Sequence, residues 1–361
     1  MFATRTIICI GVVVLTASLA QAATSDYTLV DHFHSQNFFK EFEFFSQPDP
    51  TRGFVKYVDG ATANRDGLAG YYQNAVYLGV DHTNTTTSGR PSTRVSSKKA
   101  YTKGLFVIDI AHMPAGKTDN GSCGLWPALW TVGPEWPSSG EIDILEGVNT
   151  RSSNVVTLHT KAECMVTNTG AVKGSNLATA DCSSGNGDVG CRQDTYAKNN
   201  YGAGFNEAGG GVYVVEWDTS VINAWFFSHG AALPATLLSS SSNNGTAAPA
   251  PDTASLGPPL AVFQPDESCQ LNQLFKDHNL IINTDFCGGW GANDWHDDET
   301  CKKLAPNCED YVGANPEAFA EAYWLINSIK VYQKAGNNGT AAGGAAMKKK
   351  REVRQALPFM A

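Results

Sequence analysis

Residues 140–147 read Gly140-Glu141-Ile142-Asp143-Ile144-Leu145-Glu146-Gly147. Three carboxylates fall within six residues, separated by aliphatic side chains. In a strand, alternate residues share a face. Glu141 and Asp143 therefore point one way, and Ile142 and Ile144 the other. Glu146 is out of phase by one residue, and a β-bulge near Ile144-Leu145 restores it to the face of Glu141. The segment predicts a bulged strand with an acidic face and an aliphatic back.

Such a strand needs a core behind it, and the rest of the chain supplies matching pieces. Runs rich in Val, Ile, Phe, Tyr and Trp recur between turn residues at 104–110, 154–160, 211–218, 222–228, 279–286 and 323–333. Long amphipathic helical patterns are scarce. This is the signature of an all-β sandwich or barrel, and no break divides the strands between two cores. One helix is predicted, with Asn315-Pro316 as cap and first turn and 317–322 following. The Ser/Asn/Ala/Pro-rich stretch 235–259 reads as an exposed loop insertion. Residues 334–361 turn Gly/Ala-rich and then basic (Met347-Lys-Lys-Lys-Arg), the composition of a disordered tail.

Residues 1–22 read as a secretion signal: Arg5, an apolar run from Ile7 to Ala20, and a small-x-small site at Ala20-Gln21-Ala22. That run is short of the roughly 20 residues a membrane span needs. The whole chain has a formal charge of −9, which argues against a nucleic-acid partner or an anionic membrane surface. Export makes disulfides possible, and the eight cysteines after the signal are Cys123, Cys164, Cys182, Cys191, Cys269, Cys287, Cys301 and Cys308. An even count fits four bridges, with the pairing left open. No Cys-x-x-Cys occurs, so zinc is not indicated. Asn84, Asn244 and Asn338 each begin an Asn-x-Thr glycosylation sequon.

Neighbouring carboxylates repel, so one of them keeps its proton to higher pH. Glycoside hydrolysis needs that division: one ionised carboxylate and one protonated acid. In a bulged strand the Cα atoms of Glu141 and Glu146 lie on the order of 13 Å apart. Side chains leaning together bring the carboxyls to about 6 Å, nearer the retaining than the inverting geometry. Two plainer readings stand beside this, a solvated acidic strand face and a calcium site. Trp126, Trp130 and Trp136 precede the acids, and aromatic rings stack on the apolar faces of sugars. Trp126 and Trp130, four apart, share a strand face. At least one of the three is expected in the core, and Trp136, between Pro134 and Pro137, is expected to be exposed. The run Trp295-His-Asp-Asp-Glu299 offers possible metal ligands but reads as a solvated loop.

Trp126-Pro-Ala-Leu-Trp-Thr-Val-Gly, followed by Trp136-Pro-Ser-Ser-Gly-Glu-Ile-Asp-Ile-Leu-Glu-Gly-Val-Asn149, resembles glycoside hydrolase family 16. The E-x-D-x-x-E form is similar to its laminarinase-like branch, and the pattern looks like the fungal secreted endo-β-glucanases. The resemblance runs from about Tyr27 to Gln333, and residues 23–333 would form the catalytic domain. It implies a β-jelly roll of two curved antiparallel sheets with a substrate cleft. It also implies Glu141 as nucleophile, Glu146 as general acid/base and Asp143 as the residue that tunes the nucleophile. On that basis Glu146 should hold its proton to higher pH while Glu141 is ionised. His159, in Thr157-Leu-His-Thr, matches a family histidine beside the acids. Arg94 matches an arginine near the cleft, and Trp290 matches a cleft residue. The family's Cys-Gly-Asp-Trp has Gly289 here in place of the aspartate.

The expectation is a secreted, monomeric, retaining endo-β-glucanase acting on β-1,3 and mixed β-1,3/1,4 glucan, with neither cofactor nor metal. A transglycosylase on the same site is the nearest alternative. A non-catalytic glucan-binding protein and a structural wall protein are the others.

Overall fold

The computed structural model describes residues 26–116, 122–169, 174–238 and 250–334. The signal segment, the tail beyond Lys334 and the sequons at Asn244 and Asn338 lie outside the described residues.

Two large antiparallel sheets make up the molecule, as a jelly-roll sandwich. The acid-bearing sheet has eight strands. Across it run Ser175–Thr179, Cys191–Thr195, Val155–His159, Glu141–Glu146, Leu125–Val132, His278–Phe286, Arg94–Tyr101 and Phe42–Phe44. The opposing sheet has nine strands. Its centre is Gly104–His112, flanked by Gly211–Trp217 and by the long last strand Trp324–Lys334. That last strand is shared at one end by Ala75–Leu78 and at the other by Tyr27–Phe33.

The core lies between the sheets. Ile142, Ile144, Leu158, Leu280 and Ile282 from the acid-bearing sheet meet Ile108, Ile110, Tyr213, Val215, Ile326 and Val331 from the other. Each such aliphatic side chain, fully buried, contributes roughly 1.5–3 kcal/mol. Alternation then dictates the rest: residues between these face away from the core.

A second cluster closes one end of the sandwich. Phe286, Trp295, Tyr311, Val312 and Phe319 pack around the disulfides Cys123–Cys301 and Cys287–Cys308. Cys164–Cys269 and Cys182–Cys191 complete the four pairs. Buried Arg90 donates to the carbonyls of Asp81 and Asn84 and to that of Val312, tying this end together.

Three expectations need correction. The predicted helix is only a 3₁₀ turn, Pro316–Phe319, since the last strand begins soon after, at Trp324, and leaves no length for a longer helix. The stretch 235–259 is not wholly exposed: Leu237 and Leu256 are buried against Leu105, Val107, Val212, Val214 and Trp225 on the outer face of the nine-stranded sheet. The Trp295–Glu299 run is not a solvated loop throughout. Trp295 is fully buried, and Asp298 caps a turn through the backbone of Thr300 and Cys301. Among the described residues no helix is long and apolar enough to cross a membrane.

Candidate active site

The strand Glu141–Glu146 carries the predicted bulge. Against Val155–His159, Asp143 pairs with Thr157 and Glu146 with Val155, so Ile144 and Leu145 together oppose Val156. Both of those aliphatics are buried in the core. The slip returns Glu146 to the outer face: Glu141 pairs with Val132, Asp143 with Trp130 and Glu146 with Ala128, all from one side of Leu125–Val132. Register brings further residues to the same face. His159 lies opposite Glu141, Asp285 opposite Trp126, Asn283 opposite Ala128, and Arg94 opposite Asn283.

The acids are held differently. Asp143 is 1% exposed, while Glu141 and Glu146 keep part of their surface open. Burial raises Glu141 well above its usual range, and the neighbouring charge of Asp143 raises it further. A hydrogen bond between the two raises Glu141 and opposes the rise of Asp143. Asp143 is also raised well above its usual range by burial and by Glu146. Glu146 is raised by burial, opposed by a hydrogen bond from Trp126 and by the charges of His159 and Arg151. Both glutamates are thus raised by burial, each with its own set of opposing neighbours. His159 lowers both glutamates, Trp126 and Arg151 act on Glu146, and the charge of Asp143 raises Glu141.

The aromatic and basic neighbours divide between the two ends. Trp126 Nε1 donates to Glu146 Oε1 at 2.8 Å. Trp290 meets Trp126 edge-on at 5.9 Å, and the Arg151 guanidinium lies over Trp290 at 5.4 Å. At the other end His159 Nε2 lies 3.0 Å from Asp143 Oδ2, and its Nδ1 lies 2.5 Å from the carbonyl of Gly187. A proton on Nδ1 satisfies that carbonyl, and a second proton on either His159 or Asp143 relieves the Nε2 contact. Arg94 stacks on Phe45 at 4.5 Å and on Trp130 at 5.0 Å. Trp130 Nε1 donates to Asn283 Oδ1 at 2.7 Å.

Trp136 is 49% exposed, as expected, on the loop that leads into Glu141. Neither Trp126 nor Trp130 belongs to the core, contrary to expectation, because both stand on the outer face beside the acids. Gly289, where the family has an acid, donates its N–H to the carbonyl of Thr51.

Several residues of this face escaped the sequence reading. Asp285 is buried beside Asp49, and Thr51 Oγ1 bridges them at 2.8 and 2.5 Å. Arg151 and the buried Tyr201 flank Glu146. Asn283 also accepts a place in a chain running to Tyr57, to whose hydroxyl its Nδ2 donates at 3.1 Å. For a cation, Glu141, Asp143 and His159 offer ligand atoms within 4.8 Å of one another. The set Cys123, Asp298 and Cys301 offers less, since both cysteines are bonded to each other.

Residues 42–332 match the family model described as XgeA-like, catalytic GH16 domain. An endo-1,3(4)-beta-glucanase of Arthroderma benhamiae is 41% identical over 89% of this chain. The endo-1,3(4)-beta-glucanase xgeA of Emericella nidulans is 38% identical over 90% of it. The matched region spans 68% of the first protein's length and 50% of the second's. Among solved structures, an elongating GH family 16 beta-1,3-glucosyltransferase is 39% identical, with a TM-score of 0.74 over 85% of this chain and 100% of its own. Laminarinase 16A from Phanerochaete chrysosporium, solved with beta-glucans in donor and acceptor sites, is 37% identical, with a TM-score of 0.74 over 85% of this chain and 99% of its own. The chain belongs to glycoside hydrolase family 16, in its XgeA-like group.

Proposed function

We propose that the protein is a secreted, retaining endo-β-glucanase that hydrolyses β-1,3 and mixed β-1,3/1,4 glucans. The observation that carries this is the bulge, which sets Glu141, Asp143 and Glu146 on one face, with Trp126 and Trp130 on the strand to one side and His159 on the strand to the other. The relatives named endo-1,3(4)-beta-glucanase support the substrate class. The four disulfides suit an exported protein.

Glu141 attacks the anomeric carbon, and Glu146 gives its proton to the departing glycosidic oxygen. Water, deprotonated by Glu146, then displaces Glu141. Asp143, beside Glu141 and 3.0 Å from His159, orients and tunes the nucleophile.

The test is reducing-end release from laminarin, lichenan and cellulose by the wild type and by Glu141→Gln. Release from the first two, absent from cellulose and abolished in a folded Glu141→Gln variant, is the expected result. Near-wild-type activity in that variant would sink the assignment. Likeness to the elongating glucosyltransferase favours one second reading, transfer of the glycosyl group to another sugar. Chains longer than the starting oligosaccharide, appearing at high oligosaccharide concentration, would mark it. Binding of laminarin without any cleavage would point instead to a non-catalytic protein.

A further inference from the structure

The bulge that brings Glu146 into line also breaks the hydrogen-bond ladder at its own position. Two residues stand against one, and the backbone groups at the slip lose regular strand partners. Here those groups are not left open. Asn154 Oδ1 accepts from the backbone N–H of Glu146 at 2.8 Å. Its Nδ2 donates to the carbonyl of Ile144, also at 2.8 Å. One primary amide is the side-chain group that supplies a donor and an acceptor side by side, so it closes both ends of the slip.

The amide is itself fixed. Asn154 is fully buried, and its N–H donates to Asn200 Oδ1 at 3.0 Å. Its carbonyl accepts from the Thr195 hydroxyl at 2.6 Å, and Asn200 Nδ2 donates to that same hydroxyl oxygen at 2.9 Å. Asn200 in turn accepts, through its backbone carbonyl, the hydroxyl of Tyr213 from the opposing sheet. Every member of this network is buried. The backbone of Glu146 is thereby tied, through one side chain, to both sheets.

We infer that Asn154 is a positioning residue for Glu146: its amide clasps the bulge, and the aim of the Glu146 carboxyl depends on that clasp. The inference rests on the acid/base reading of Glu146. Aspartate has the same size but offers Ile144 a second acceptor in place of the donor. Alanine removes both bonds. Either change leaves the residues that contact sugar in place while loosening the strand under the acid.

The experiment compares Asn154→Asp, Asn154→Ala and Glu146→Gln on two substrates, laminarin and a dinitrophenyl β-laminaribioside. On laminarin the Asn154 variants should lose about 10–100-fold in kcat, as supporting residues around a reactive group typically do, with KM changed less than about twofold. On the aryl substrate the first step should survive. There the anomeric C–O bond breaks as the bond to Glu141 forms, and the dinitrophenolate departs with the electron pair and needs no proton. Added azide should then displace Glu141 from the glycosyl-enzyme, give the β-glycosyl azide and restore turnover. Unchanged kcat on laminarin, or equal losses on both substrates, would overturn the inference. So would a lowered melting temperature with full specific activity in the folded fraction. If Asn154→Ala does not fold, Asn200→Ala is read instead, with a smaller loss in the same direction. Glu146→Gln separates the two claims. Full activity there removes the acid/base reading itself, whereas collapse there with intact Asn154 variants removes only the clasp.

Discussion

Glu146 is a carboxyl whose protonation is set by named neighbours, and Trp126 is the nearest of them. The indole N–H donates to Oε1, which favours the charged form and works against burial. Trp126→Phe keeps an aromatic face but removes the donor, so the Glu146 pKa rises further. The limb of the kcat/KM profile that reports loss of the acid proton should then move to higher pH. In the plateau kcat should fall by about tenfold, since proton transfer is one part of the barrier. A profile superimposable on the wild type would show that the hydrogen bond does not reach the chemistry. The acids themselves were legible in the sequence, because period-two alternation and a one-residue slip are local. Asp285 and Asn283 were not. They reach Trp126 and Ala128 through the pairing of strands more than 120 residues apart in sequence, and no local pattern encodes that register.

At the scale of the element, strands were easier to read than helices. Glu141–Glu146 and Ile222–Ser228 were delimited as the structure has them, since each face of a half-buried strand repeats every two residues. The helix Gly288–Trp295 escaped notice. It is two turns long, holds three glycines, and follows Cys287 at a φ of 63°, so tertiary packing and two disulfides hold it rather than helix propensity. One loop element bears directly on the site. Cys182 and Cys191 close a short loop whose Gly187 carbonyl fixes the His159 ring. Gly190, in the same loop, has a φ of +68°, and a Cβ there would lie 2.7 Å from His159 Nδ1 and 2.4 Å from the Leu158 carbonyl. Gly190→Ala should therefore push the ring away from Asp143 and cost backbone strain of about 1–3 kcal/mol. Activity on laminarin should drop about tenfold or more in protein that still melts cooperatively, in line with the usual effect of displacing a supporting residue. Retained activity would mean that Asp143 does its work without a fixed imidazole.

For the whole molecule, the site is bought against stability. Glu141, Asp143, Glu146 and Asp285 all have folded pKa values raised by burial. A carboxyl raised on folding binds its proton more tightly in the native state, so stability falls as pH climbs from the unfolded carboxylate value, near 4, through the folded one. Buried His278 opposes this. Its pKa is pushed down to about 4, so it costs stability as pH falls below the unfolded histidine value of about 6.5. The wild-type profile mixes the two signs, and a difference between variants separates them. Glu141→Gln cannot ionise, while every histidine remains. Its melting temperature should exceed the wild type's at pH 7 by about 2 °C or more. The gap should close as pH falls below about 4, where the wild-type acids are protonated in both states. A Gln variant less stable than the wild type at pH 7, or a gap that widens in acid, would show that the cluster is not a store of unfavourable charge. The wild type would then lose no stability by keeping its carboxylates.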